Sequence, residues 1–157
     1  MEREEILEWV EKHDKKHSWY IQQEKEIGDR LRETKNLSKE DLVKIMEWKF
    51  ESDHRRRVVQ VKYAKLVNEQ HLSKISNEVF NLEINQDLKR INLFCLFKGI
   101  GPAVASVILT FYDPKNYCVV DFHIYQELFG VRPQSLTPEK YVRLLKKLRE
   151  EAKKIQS

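Results

Sequence analysis

Apolar residues recur along this chain at the three- and four-residue spacing of helix faces, and the alternating pattern of strands is almost absent. From Glu5 to His13, the side chains of Ile6, Trp9, Val10 and His13 share one face. Leu42, Ile45, Met46 and Lys49 share another, and Ser38 stands where that helix needs an N-cap. Val59, Tyr63, Leu66 and Val67 predict a further helix. Ile75, Val79 and Leu82 predict the next, with Glu69-Gln70-His71 as the polar connection between the two. The first 97 residues hold one glycine, Gly28, and no proline, which favours long helices.

The pattern changes at Lys98. Gly99-Ile100-Gly101-Pro102 interrupts a helix that begins near Gln86 and starts another that reaches about Phe111, so residues 86–111 form a hairpin of two helices. Asp113 to Asn116 reads as a loop and Tyr117 to Val120 as a short extended approach. Asp121 is the N-cap of a helix that Gly130 ends at Phe129, which makes residues 117–129 a loop-and-helix unit. Thr137 caps the last helix and Pro138 occupies its first position. The expected fold class is all-α, a compact helical domain spanning residues 1–157 without internal repeat or linker.

Composition narrows the function classes. No segment approaches the ~20 apolar residues of a membrane span, and the acidic start Met1 to Glu5 is unlike a secretory signal, so a cytoplasmic location and no membrane partner are expected. Cys95 and Cys118 are the only cysteines, too few for a four-cysteine zinc or iron–sulfur site. His13 and His17 stand four apart but lack a third ligand, and no metal site is expected. The net charge of +4 permits nucleic-acid binding without demanding it. Locally basic stretches are His54-Arg55-Arg56-Arg57 and Lys140 to Lys154. In the latter, Arg143, Lys146, Lys147 and Arg149 are expected to form an exposed face.

Two glycines separated by one apolar residue allow a tight turn with positive φ and let another backbone come close. Amides of Gly99, Gly101 and the first turn after Pro102, with a helix dipole behind them, suit a phosphate oxygen. Ile100 would plug the space between the hairpin helices. The run Phe97-Lys98-Gly99-Ile100-Gly101-Pro102-Ala103-Val104-Ala105 resembles the hairpin of the HhH-GPD superfamily of DNA glycosylases. That hairpin usually reads leucine, proline, glycine, apolar, glycine, with alanine four places after the second glycine. Asp121 follows Gly99 by 22 residues, the separation between the first hairpin glycine and the catalytic aspartate in endonuclease III-like members. Val120-Asp121-Phe122-His123-Ile124 is also similar to the Val-Asp-x-His-Ile around that aspartate.

The resemblance implies a helix-hairpin-helix fold of the glycosylase kind and a nucleoid-associated DNA repair enzyme of base excision. In it, Asp121 stabilises the positive charge left on the sugar and orients or deprotonates water. It also implies backbone contacts to DNA phosphates around Lys98, Gly99, Ile100, Gly101 and Ala103. His123 either orients the loop or faces the DNA, or is simply a packed or surface histidine, and the basic run Arg55, Arg56 and Arg57 reads either as a phosphate-contacting patch or as a solvated helix face. A monovalent cation on the hairpin carbonyls carries over, and no other cofactor is expected. Bifunctional members place a lysine two residues beyond the second hairpin glycine, where this chain has Ala103. The implied activity is therefore monofunctional, without strand cleavage through a Schiff base. The iron–sulfur cluster of endonuclease III-like members has no counterpart, and 27 residues follow Gly130, so a reduced, shared or open base pocket is expected. Trp19, Tyr20, Trp48 and Tyr63 are candidate pocket walls, although aromatics at helical spacing usually pack in the core. The alternative is a non-catalytic helix-hairpin-helix module that grips DNA.

Overall fold

The most apolar stretch of the chain, Val104 to Leu109, is buried without interruption in the helix Pro102–Tyr112, which packs against three other helices. The computed structural model describes Glu4 and residues 21–83 and 85–156. Among these residues the regular structure is all helical, with no strand: α1 (Ile21–Thr34), α2 (Lys39–Lys49), α3 (His54–Leu66), α4 (Glu69–Phe80), α5 (Asp87–Phe94), α6 (Pro102–Tyr112), α7 (Phe122–Phe129) and α8 (Pro138–Gln156). No helix among them is long and apolar enough to cross a membrane. The helix expected over Glu5–His13, together with His17, Trp19 and Tyr20, lies outside the described residues.

Helix α6 packs on α1, α2 and α5, and α5 in turn carries α4 and α8. Gly28 makes the α1 contact possible. A Cβ there would fall 2.5 Å from the Phe111 carbonyl oxygen, so only a glycine lets the end of α6 come this close. Arg32 then donates from Nη1 to the Phe111 and Tyr112 carbonyls, both at 3.0 Å, and satisfies the C-terminal end of α6. Apolar spacing alone predicts no helix over residues 21–34, because Ile27, Gly28 and Leu31, the only buried positions of α1, form too narrow a stripe among charged neighbours.

Most local end signals hold. The Ser38 side chain accepts from the Asp41 amide, Asp121 from the Ile124 amide, and Thr137 from the Lys140 amide, while Gly130 ends α7 with φ 75°. Two expectations fail. Glu69-Gln70-His71 is the first turn of α4 rather than a connection, because the Asn68 side chain accepts from the His71 amide and starts the helix there. In α3, Val59 and Leu66 are exposed, at 47% and 72%, and the buried side is that of Ala64, whose small side chain admits the neighbouring α2. Apolar residues occupy both faces of α3, so spacing could not tell which one faces inward.

Candidate functional site

Helix α5 ends at Phe94, and the chain reaches α6 through a compact turn. Its amides of Leu96, Phe97 and Ile100 donate to carbonyls three residues back, at 3.1–3.3 Å. Gly99 has φ 91°, as a turn glycine should. Gly101 does not share this geometry. Its φ of −96° and ψ of −175° are extended backbone open to any residue, which corrects the expectation of two positive φ values. The close approach that requires a glycine is also internal, since a Cβ on Gly99 would meet Tyr63 of α3 at 2.8 Å. The space beside Gly101, in contrast, is open for at least 4 Å. Ile100 is buried at 4% exposure, so only the backbone at that position can face a ligand, not the side chain.

Helix α6 begins without a side-chain cap, because its N-cap is Gly101, and Pro102 at the first position has no N–H. Among the described residues, the amides of Ala103 and Val104 find no acceptor, which leaves the positive end of the helix unmatched. Lys98 is exposed beside this end, with its Nζ 5.2 Å above the Tyr63 ring. Ala103, in the first turn, is half-buried.

The three arginines of α3 do not form one patch. Arg55 is exposed, Arg56 stacks on Phe50 at 4.9 Å, and Arg57 folds back, donating to the Glu51 carbonyl at 3.1 Å and meeting His54 Nδ1 at 3.0 Å. Arg56 shares a helix face with Gln60 and Tyr63 and stands about two turns, roughly 10 Å, from the Gly99 contact. Trp48 is not a pocket wall. It is buried at 3% exposure and packs edge-on against Phe111 at 5.2 Å.

Asp121 is exposed at the start of α7, where Oδ1 accepts from the Ile124 amide at 2.8 Å. Among the described residues nothing binds Oδ2. The segment leading to it is fastened at nearly every residue. Arg149 of α8 donates twice to the Asn116 carbonyl, at 3.1 and 2.8 Å, and Tyr141 Oη donates to the Cys118 carbonyl at 3.0 Å. The Val120 amide donates to buried Ser106 Oγ of α6 at 3.1 Å. Tyr117 Oη and Arg149 Nη1 both donate to the Asp87 carboxylate, at 2.7 Å each. Burial opposes charge on Asp87, but the hydrogen bonds from Arg149 and Tyr117 outweigh it and hold the carboxyl below its ordinary range. Burial, with the bond to Asp87, pushes the Tyr117 phenol up. Burial alone pushes the Cys95 thiol up to about 11, and it dominates the rise of Cys118 to about 12.

The sequence pattern gives no site role to Asp87, Ser106, Tyr117, Tyr141 or Arg149. Arg149 is half-buried rather than part of an exposed basic face, because Asp87 draws it inward. The lone serine inside the apolar run of α6 was the available signal for Ser106. His123 pairs along α7 with Glu127, Nε2 to Oε1 at 3.1 Å, and its ring is 71% exposed.

Three grooves lined by described residues lie on α3 around Val58, Lys62 and Leu66, on α5 around Leu88 and Leu96, and between Thr34 and Asp41. Asp121 is part of none of these three. Among the described residues no three His, Cys, Asp or Glu side chains gather to hold a metal. In the turn, the Phe97 and Gly101 carbonyls already accept from the Ile100 and Ala105 amides, which leaves each one lone pair for a cation. No family model matches the chain, and comparison with curated proteins and with solved structures gave no match.

Proposed function

We propose that this chain is a monofunctional DNA glycosylase of the helix-hairpin-helix kind, with Asp121 as its catalytic carboxylate. The observation that carries the reading is the state of that carboxylate: exposed at a helix start, half used as a cap, and reached by a chain segment fastened from three helices. Placed beside the anomeric carbon of an extruded nucleotide, the free oxygen would stabilise the charge left as the base departs and orient the attacking water. The uncapped start of α6, with the amides of Ala103 and Val104 and the exposed Lys98, would take a backbone phosphate. A monovalent cation on the remaining lone pairs of the turn carbonyls would add to that contact. Ala103 offers no amine for Schiff-base chemistry, so the product is an abasic site with the strand intact.

The second reading is a DNA-gripping module without catalysis. The cap bond from Ile124 to Asp121 favours it, since capping alone accounts for an aspartate there. Single-turnover base release from duplexes carrying uracil, oxidised, alkylated and mismatched bases separates the two readings. Abasic sites made by the wild type and lost in Asp121→Asn support the enzyme. No release by either protein, with equal salt-dependent DNA binding, supports the module.

A further inference from the structure

We infer that the Asp87–Arg149 ion pair is a positioning device that sets Asp121 relative to the α5–α6 turn. Asp87 opens α5, and the other end of that helix runs into the turn carrying Gly99 and Gly101. The helix of eight residues is thus a short strut, with the phosphate-facing turn at one end and the anchor of the Asn116–Val120 segment at the other. The anchor is a branched one. Asp87 Oδ1 takes the Tyr117 hydroxyl, Oδ2 takes Arg149 Nη1, and the remaining Nε and Nη2 of Arg149 converge on the Asn116 carbonyl. Arg90 adds a second cation 3.9 Å from Asp87, and the Arg149 guanidinium lies over the Tyr117 ring at 5.4 Å.

Arg149 and Asp87 lie 62 positions apart in the chain, and the pair joins α5, α8 and the segment that ends at Asp121. A lysine in place of the arginine could keep the ion pair, but it has no planar fork to reach the Asn116 carbonyl as well. The distance from the turn to the Asp121 carboxylate therefore depends on a bidentate geometry that charge alone does not supply. These side chains bond to one another and to the Asn116–Val120 segment, so they act through Asp121 rather than on the reaction itself.

The role in catalysis rests on the proposed activity, whereas the role in holding the segment does not, and two measurements on Arg149→Lys and Tyr117→Phe keep them apart. Amide hydrogen exchange on the intact chain should show the Val120 and Ile124 amides exchanging about tenfold faster, with the α2 and α6 core amides unchanged. Protection at Val120 and Ile124 equal to the wild type would overturn the inference. Where the wild type releases a base, single-turnover release by the variants should fall about 10- to 100-fold with DNA affinity unchanged. Faster exchange with an unaltered rate would show that the clamp holds the segment but does not position Asp121. A wild type inert on every duplex would overturn the proposed activity and leave the exchange result to judge the clamp by itself.

Discussion

Tyr63 lies against Gly99 so closely that a Cβ on the glycine would fall 2.8 Å from the tyrosine Cβ and 2.9 Å from its Cδ2. The turn between α5 and α6 is thereby braced by α3, and its first glycine is required by the protein before any ligand is considered. Gly101, two residues on, has open space and ordinary extended dihedrals. Gly99→Ala should therefore destabilise the fold by about 1–3 kcal/mol, through the clash and the positive φ together. Gly101→Ala should stay within about 0.5 kcal/mol. Urea unfolding of the two variants checks this, and equal losses would remove the distinction between the glycines.

Ser106 offers a sharper test of the segment that leads to Asp121. Its hydroxyl donates to the Ala103 carbonyl at 2.6 Å and accepts from the buried Val120 amide at 3.1 Å. Ser106→Ala leaves that amide without a partner in a place water does not reach, at a cost of about 1–3 kcal/mol. Ser106→Cys keeps a weak acceptor of similar size and should recover part of the loss. Denaturation midpoints that do not separate alanine from cysteine would mean that the Val120 bond contributes little.

What was legible in the sequence was what neighbours in the chain decide. Ser38, Asp121, Gly130 and Thr137 each act on an amide or a carbonyl within a few residues, and each stands where its spacing placed it. The existence of α6 and its start at Pro102 were legible in the same way, from the glycine–proline break before it. Arg149 could not be read this way, because it sits in a stretch of lysines and glutamates that looks solvated, and its partner is 62 residues away. Tyr63 is a comparable case. Its spacing suggests a core aromatic, and only the approach of the distant turn shows that it determines Gly99. The Asp121 cap is legible in the sequence, but the side chains that hold its segment are not, since ion pairs and long-range hydrogen bonds leave no period.

Acid should weaken the Asp87 clamp in a defined window. The folded carboxyl sits below its ordinary range, held there by Arg149 and Tyr117 against the opposing effect of burial. A lowered folded value contributes stability that is complete above the ordinary carboxylate value near 4 and is lost as pH falls through the folded value. Asp87→Asn removes this contribution, about 1–2 kcal/mol after allowance for the solvent reaching Arg149. The stability difference between wild type and variant should be constant from neutral pH down to about 5 and shrink below about 4. A gap that widens on acidification would contradict this sign.

Basic residues near the turn should divide by whether the fold already uses them. Lys98 is exposed beside the uncapped start of α6, and among the described residues its ammonium meets only the Tyr63 ring, so under the proposed function its charge displaces a counterion from a DNA phosphate. Arg57 is spent on the Glu51 carbonyl and His54, where it holds the beginning of α3. Lys98→Gln should lower the slope of log affinity against log salt by about one unit without affecting stability. Arg57→Gln should leave the slope unchanged and cost about 1 kcal/mol of stability. Fluorescence anisotropy titrations between about 50 and 200 mM salt, paired with urea melts, read both quantities. If Arg57 carried the slope and Lys98 did not, the proposed DNA contact would have to be moved from the α5–α6 turn to the start of α3.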